Sequence, residues 1–178
     1  MTGRSRLPGG GTSGQEAARR AAPAYVSVDD DREVPERIGQ LQAQTVVLDV
    51  EPLIATWNSS QCQLEEGIAR VLADIGALPE VRVVCFATNS ARQPSIVPRA
   101  PGKQVLYLAS ARKPLNTGPY QWLPKPGVVV GDQVATDGLL ARRLGYTFLY
   151  FRPPVRDMPV GPMLLRGTGE LIRPLLFR

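Results

Sequence analysis

The chain has 178 residues, a net charge of +5 and 43% hydrophobic residues, which suits one domain with tails and favours anionic partners. It has no histidine and only two cysteines, Cys62 and Cys85. That excludes Ser-His-Asp and Cys-His catalysis, histidine-ligated metals and a disulfide framework.

No run of 18 apolar residues exists, and no apolar segment follows the N-terminal arginines. The expected location is therefore the cytoplasm, with no membrane span and no secretory leader. Any hydrolytic chemistry has to run on carboxylates, hydroxyls, lysine and a hard metal.

Residues 1–36 hold Pro8-Gly9-Gly10-Gly11 and Ala- and Asp-rich patches with few large apolar residues, and read as a disordered tail. The glycine run lacks the Gly-Lys-Ser/Thr ending of a phosphate-binding loop. The core is expected over residues 37–152. Thr45-Val46-Val47-Leu48 is a short β-branched run, hence a buried strand. Leu64, Ile68, Val71, Leu72 and Ile75 fall at helical spacing, and Gly76 is expected to end that helix in a left-handed cap. Val81 to Phe86 and Val105 to Leu108 read as the next strands, separated by a stretch that Pro94, Pro98 and Pro101 keep from forming a long helix. Val128-Val129-Val130 is a fourth strand, residues 137–144 a helix, and Tyr146 to Phe151 a fifth strand. Residues 153–178 are rich in Pro and Gly and read as a loose extension, with Leu171 to Phe177 docking weakly.

Strands alternating with helices predict an α/β fold: a Rossmann-like three-layer sandwich around a mostly parallel, five-stranded sheet. In such sheets ligands meet the carboxyl ends of the strands. Those ends carry Asp49-Val50-Glu51, Thr88-Asn89-Ser90, Ala111-Arg112-Lys113-Pro114, and Gly131-Asp132-Gln133 with Asp137 five positions on. Taken singly, each has an ordinary explanation. Asp137 suits a helix cap, Lys113 an exposed loop, and Thr88-Asn89-Ser90 a turn. Together, in this order, they are what an aspartyl-phosphate enzyme needs: a nucleophilic carboxylate, an acid, a hydroxyl and an ammonium for the phosphoryl oxygens, and carboxylates for a divalent cation.

This set resembles the haloacid dehalogenase superfamily. Ala111-Arg112-Lys113-Pro114-Leu115 and Gly131-Asp132-Gln133-Val134-Ala135-Thr136-Asp137 look like its subfamily IIIA, the YqeG-like branch that includes phosphatidylglycerophosphate phosphatases. The likeness covers about residues 38–152. It implies Asp49 as nucleophile and metal ligand, and Glu51 as acid and base, with its backbone carbonyl on the metal. It implies Thr88 and the Asn89 N–H on the phosphoryl group, Lys113 offsetting charge, Asp132 completing an Mg²⁺ site, and Asp137 supporting those ligands from behind.

One departure stands out. Glu51 occupies a position where the family has Asp, which moves a carboxyl by about 1.5 Å, enough to weaken turnover. The short connections after Glu51 and after the second strand leave no room for a lid. An open site suits a bulky substrate, such as a lipid head group at a membrane surface or a macromolecule, unless an oligomer partner closes it. The expected partner is a phosphorylated small molecule or lipid head group, with peripheral membrane contact. Alternatively the chain is a weakened relative that binds a phosphorylated ligand or a protein partner. A receiver domain would want an Asp after the third strand, and none is there. Nucleic-acid binding rests on charge alone, without an aromatic-basic motif. Trp57 and Trp122 are expected in the core, with exposed aromatics near the mouth of the site as the alternative.

Overall fold

The computed structural model describes residues 24–152 and 160–177. Most of the N-terminal tail, residues 1–23, lies outside them. Six strands form one all-parallel sheet: β1 (Tyr25–Val28), β2 (Thr45–Asp49), β3 (Val83–Ala87), β4 (Gln104–Leu108), β5 (Gly127–Gly131) and β6 (Thr147–Phe151). Their spatial order is β1-β6-β5-β2-β3-β4. The helices are α1 (Glu33–Gln40), α2 (Gln61–Gly76), α3 (Leu139–Leu144) and α4 (Val160–Leu176), with one π-helical turn, Val134–Gly138, ahead of α3.

The apolar runs become strands because both faces of the sheet are covered. Along β2, Val46 and Leu48 enter one core and Val47 the other. Along β5, Val128 and Val130 oppose Val129 in the same way. The first core is closed by Val34 and Ile38 of α1 and by Leu64, Ile68, Leu72 and Ile75 of α2. The second is closed by Leu140, Ala141 and Leu144 of α3, with Ile172, Leu176 and Phe177 packed from outside. Ser60 caps α2 by accepting from the Gln63 N–H, and the Gln63 side chain accepts from the Ser60 N–H. Cys85 is buried and Cys62 exposed.

Four expectations need correction. The sheet has six strands, not five, because Tyr25–Val28 pairs with β6, Tyr25 against Phe148 through Val28 against Phe151. Structure therefore begins inside the stretch read as a tail, and α1 follows it. Pro35 is accommodated there because it lies in the first helical turn, where its missing N–H costs no hydrogen bond. The C-terminal extension contains α4, which packs on the turn Val134–Gly138. Gly76 lies inside α2, whose cap Ala77 is right-handed; the left-handed cap is Gly145, with φ +68, at the end of α3.

Both tryptophans also differ from expectation. Trp122 is exposed, and Trp57 lines a surface groove. The connection after β3 forms no helix, as its prolines foretold. It is held instead by Arg92, whose guanidinium donates to the carbonyls of Thr56, Ser59 and Ser60. That clamp joins the loop after β3 to the loop after β2. No helix among the described residues is long and apolar enough to cross a membrane.

Candidate active site

From β2 the chain moves outward through β3 and β4, then returns to lay β5 and β6 on the other side, where β6 pairs with β1. The direction reverses between β2 and β5, which are neighbours, with Leu48 opposite Val130. At such a switch point the flanking connections diverge and leave a crevice beyond the strand ends. Asp49 ends β2 and Asp132 directly follows β5, so two carboxylates stand at the crevice. Thr88 follows β3, and Lys113 comes from the loop after β4.

The charged groups there form a tight, nearly dry cluster. Lys113 Nζ lies 2.8 Å from Asp49 Oδ1 and 2.7 Å from Asp137 Oδ1. All three side chains are buried. Asp49 Oδ1 also accepts from the Val50 N–H at 2.8 Å, and Asp137 Oδ2 accepts from the Gln133 N–H at 3.3 Å. Asp137 is therefore no helix cap: α3 has no side-chain cap at all. It reaches across the end of β5, where a β-carbon on residue 131 would overlap its carboxyl group. Gly131 is needed for that close approach.

Asp132 is different. It is fully buried, and neither carboxylate oxygen has a hydrogen-bond partner among the described residues. Carboxylate oxygens of Asp49, Asp132 and Asp137 lie within 4.8 Å of one another. Lys113 pairs with Asp49 and Asp137, and Arg166 offsets Asp132 only in part, so the cluster is short of positive charge when all three acids are ionised. Uncompensated buried charge costs several kcal/mol per ion. Orphaned oxygens and a negative excess suit a divalent cation.

The acidities follow from this geometry. Burial, then the charge of Asp137, lifts the Asp49 carboxyl well above the usual carboxylate range, against the pull of Lys113. Burial and Asp137 push Asp132 up to about 7, only partly offset by Arg166 and Lys113. Burial alone would lower the Lys113 ammonium, but Asp137 and Asp49 outweigh it and hold the group charged. Burial also takes the Cys85 thiol up to about 12, so it is no nucleophile at neutral pH.

Beside this cluster lies a second, built on hydroxyls. Thr88 Oγ1 donates to Glu51 Oε2 at 2.7 Å, and Ser90 Oγ donates to Glu51 Oε1 at 3.4 Å. The Ser90 N–H donates to Thr88 Oγ1 at 3.0 Å. Glu51 is buried, and its carboxylate points at the end of β3, outside the group formed by Asp49, Asp132 and Asp137. Asn89 plays a part the sequence did not suggest. Its amide donates to the Lys113 carbonyl at 3.1 Å and accepts from the Lys113 N–H at 2.7 Å. This two-way bond fixes the lysine's backbone, much as a strand partner would. Ser90 was passed over as turn chemistry. The run of two hydroxyl residues around Asn89 was the available signal, but its partner, Glu51, is 39 positions away.

Thus Asp49, Lys113, Asp132 and Asp137 come together, Thr88 and Glu51 adjoin them as a pair, and Asn89 serves Lys113. A groove of about 1000 Å³ runs along Pro52 to Ser59, with Leu53, Ile54 and Phe151 among its walls and Trp57 and Arg70 at its sides. Comparison of the chain with protein-family models, curated proteins and solved structures gave no match in any of the three.

Proposed function

We propose that the protein is a magnesium-dependent phosphatase of the haloacid dehalogenase type, hydrolysing a phosphomonoester through an aspartyl-phosphate at Asp49. The observation that carries this reading is the buried lysine held between two aspartates at the switch point, beside a third aspartate whose oxygens have no partner. A structural ion-pair network would not leave Asp132 unsatisfied in the interior.

The chemistry then divides among named side chains. Asp49 attacks phosphorus, and the bond from phosphorus to the ester oxygen breaks. Glu51 gives a proton to that departing oxygen. A water molecule, deprotonated by Glu51, next attacks the phosphorus, releasing inorganic phosphate and restoring Asp49. Lys113 favours the ionised form of the nucleophile, against burial and Asp137, and offsets charge on the phosphoryl oxygens, which Thr88 also binds. Asp137 and Asn89 hold Lys113 in place. Asp49 and Asp132, with the Glu51 carbonyl, would hold the Mg²⁺. That ion, when bound, supplies charge neutralisation to the phosphoryl group.

The substrate reading is a bulky or lipid phosphate ester. Two features support it. Among the described residues no inserted domain covers the strand ends: only Pro52 to Ser60 separate Glu51 from α2. The outer face of α4 carries Val160, Met163, Leu164, Leu171 and Leu175, all exposed, while Arg173 turns inward to Tyr25. An uncharged exposed helix face suits a lipid surface.

The test is Mg²⁺-dependent release of phosphate from an aryl phosphate. Asp49→Asn is expected to abolish it, a loss of about 1000-fold or more; activity that survived undiminished would sink the mechanism. A second reading is favoured by the engagement of Glu51 with Thr88: a weakened relative that binds a phosphorylated ligand. Glu51→Asp separates the two. A large gain in rate marks an enzyme slowed by its glutamate, and no activity in either form marks a binding module.

A further inference from the structure

The hydroxyl cluster at the end of β3 already holds an anion, and that anion belongs to the chain. Both oxygens of Glu51 are engaged, one by Thr88 and one by Ser90. A threonine hydroxyl has a single proton to give. The Thr88 oxygen accepts from the Ser90 N–H and lies 3.0 Å from the Ser90 hydroxyl, and its proton goes to the shorter and charged partner, Glu51 at 2.7 Å. It therefore cannot serve a phosphoryl oxygen while Glu51 stays where it is.

The hold on Glu51 is of a particular kind. Among the described residues no ion pair reaches its carboxylate. Its ties are to neutral hydroxyls. A phosphate dianion makes stronger bonds to the same donors than a carboxylate does, so it can displace one. Reach matters as well. An aspartate here would end about 1.5 Å short, the length of one carbon–carbon bond, and would not span both hydroxyls.

We propose that Glu51 is a built-in competitor for the phosphoryl-binding donors Thr88 and Ser90, and that the substrate phosphate must displace it. Displacement does two things at once. It frees the hydroxyls for the phosphoryl oxygens, and it frees the Glu51 carboxylate to take a proton from solvent and carry it to the departing oxygen. The acid is thus released only when a phosphoryl group arrives. Ser90 becomes a second phosphoryl-binding residue beside Thr88. Apparent affinity for phosphate is lowered by the fraction of molecules in which Glu51 is away from Thr88. This inference rests on the reading of Thr88 as a phosphoryl-binding residue.

The experiment is binding of inorganic phosphate to the full chain in Mg²⁺, measured by isothermal titration calorimetry. Glu51→Ala is expected to bind phosphate about 10- to 100-fold more tightly than the wild type, the scale of one charge-assisted hydrogen bond released from competition. Glu51→Gln keeps the shape and loses the charge, and should fall between the two. Adding Ser90→Ala to Glu51→Ala should give back several-fold of the gain. Equal or weaker binding in both Glu51 variants, each folded by circular dichroism, overturns the proposal, whether or not the wild type releases phosphate. Tighter binding with no phosphate released from an aryl ester by any form leaves the competitor in place and removes the hydrolytic reading. Absence of phosphate binding in every form removes both.

Discussion

The two halves of the site solve the burial of carboxylates in opposite ways. On the Lys113 side, Asp49 and Asp137 share one ammonium at 2.8 and 2.7 Å, and the Asp132 oxygens have no hydrogen-bond partner among the described residues. On the Thr88 side, a single carboxylate is satisfied by neutral hydroxyls. The first half is rigid and short of positive charge. The second is complete and exchangeable. On the proposed function the difference separates two tasks: a charge deficit that would take a cation, and a satisfied anion site that would yield to a stronger anion.

The largest effect should come from breaking the rigid half. Lys113→Met removes the ammonium and leaves Asp49 and Asp137 facing each other in the interior. The expected cost is about 3–5 kcal/mol, with a matching fall in the midpoint of urea unfolding. Near-wild-type stability would mean that the carboxyls are neutral in the native protein.

Cation binding should show next, and it should depend on pH with a defined sign. Asp49 and Asp132 both titrate above their ordinary values in the folded chain, Asp132 at about 7. Between pH ~4 and ~7 the metal-free native state therefore holds protons that the unfolded state has released. Its stability falls as pH rises through that window. Mg²⁺ binds the ionised forms, so its stabilisation grows over the same window, reaching about 2.7 kcal/mol at a hundred times its dissociation constant. Thermal midpoints with Mg²⁺ and with EDTA, at pH 5 and pH 8, measure this. An Mg²⁺ increment that is larger at pH 5 would contradict it.

Smaller changes sharpen the contrast. Gly131→Ala pushes a methyl group into the Asp137 carboxyl. It is expected to cost about 1–3 kcal/mol and to loosen Lys113. In the exchangeable half, Ser90→Ala loses the 3.4 Å contact to Glu51, the 3.0 Å contact to the Thr88 hydroxyl and the bond accepted from the Arg92 N–H at 3.3 Å, and should cost about 1 kcal/mol in the same urea assay.

Much of this was legible from residue order. Strands β2, β3 and β5 are runs of β-branched and apolar residues, and covering both faces of the sheet requires such runs. Once they are placed in one parallel sheet, Asp49, Thr88 and Asp132 fall at its carboxyl edge, and Lys113 reaches that edge from the loop after β4. Strand β1 was not legible. It has four residues, lies at the sheet edge beside an Asp-rich stretch, and gains its order from pairing with β6. Helix α4 was hidden by Gly161, Pro162, Gly167, Gly169 and Pro174, which argue against a helix on propensity. One of these is what its packing needs: a β-carbon on Gly169 would press on Val134 and the Ala135 backbone at 3.1–3.2 Å. The bonds from Asn89 to Lys113 and from Thr88 to Glu51 join residues 24 and 37 positions apart. No local pattern encodes them.

The central claim is that Asp49 becomes phosphorylated. The direct measurement is mass spectrometry of protein acid-quenched during reaction with an aryl phosphate and Mg²⁺. The account predicts one hydroxylamine-labile phosphoryl group on the peptide containing Asp49, absent in Asp49→Asn and absent without Mg²⁺. Phosphate released at full rate with that peptide unmodified, or a phosphoryl group carried elsewhere in the chain, would contradict it.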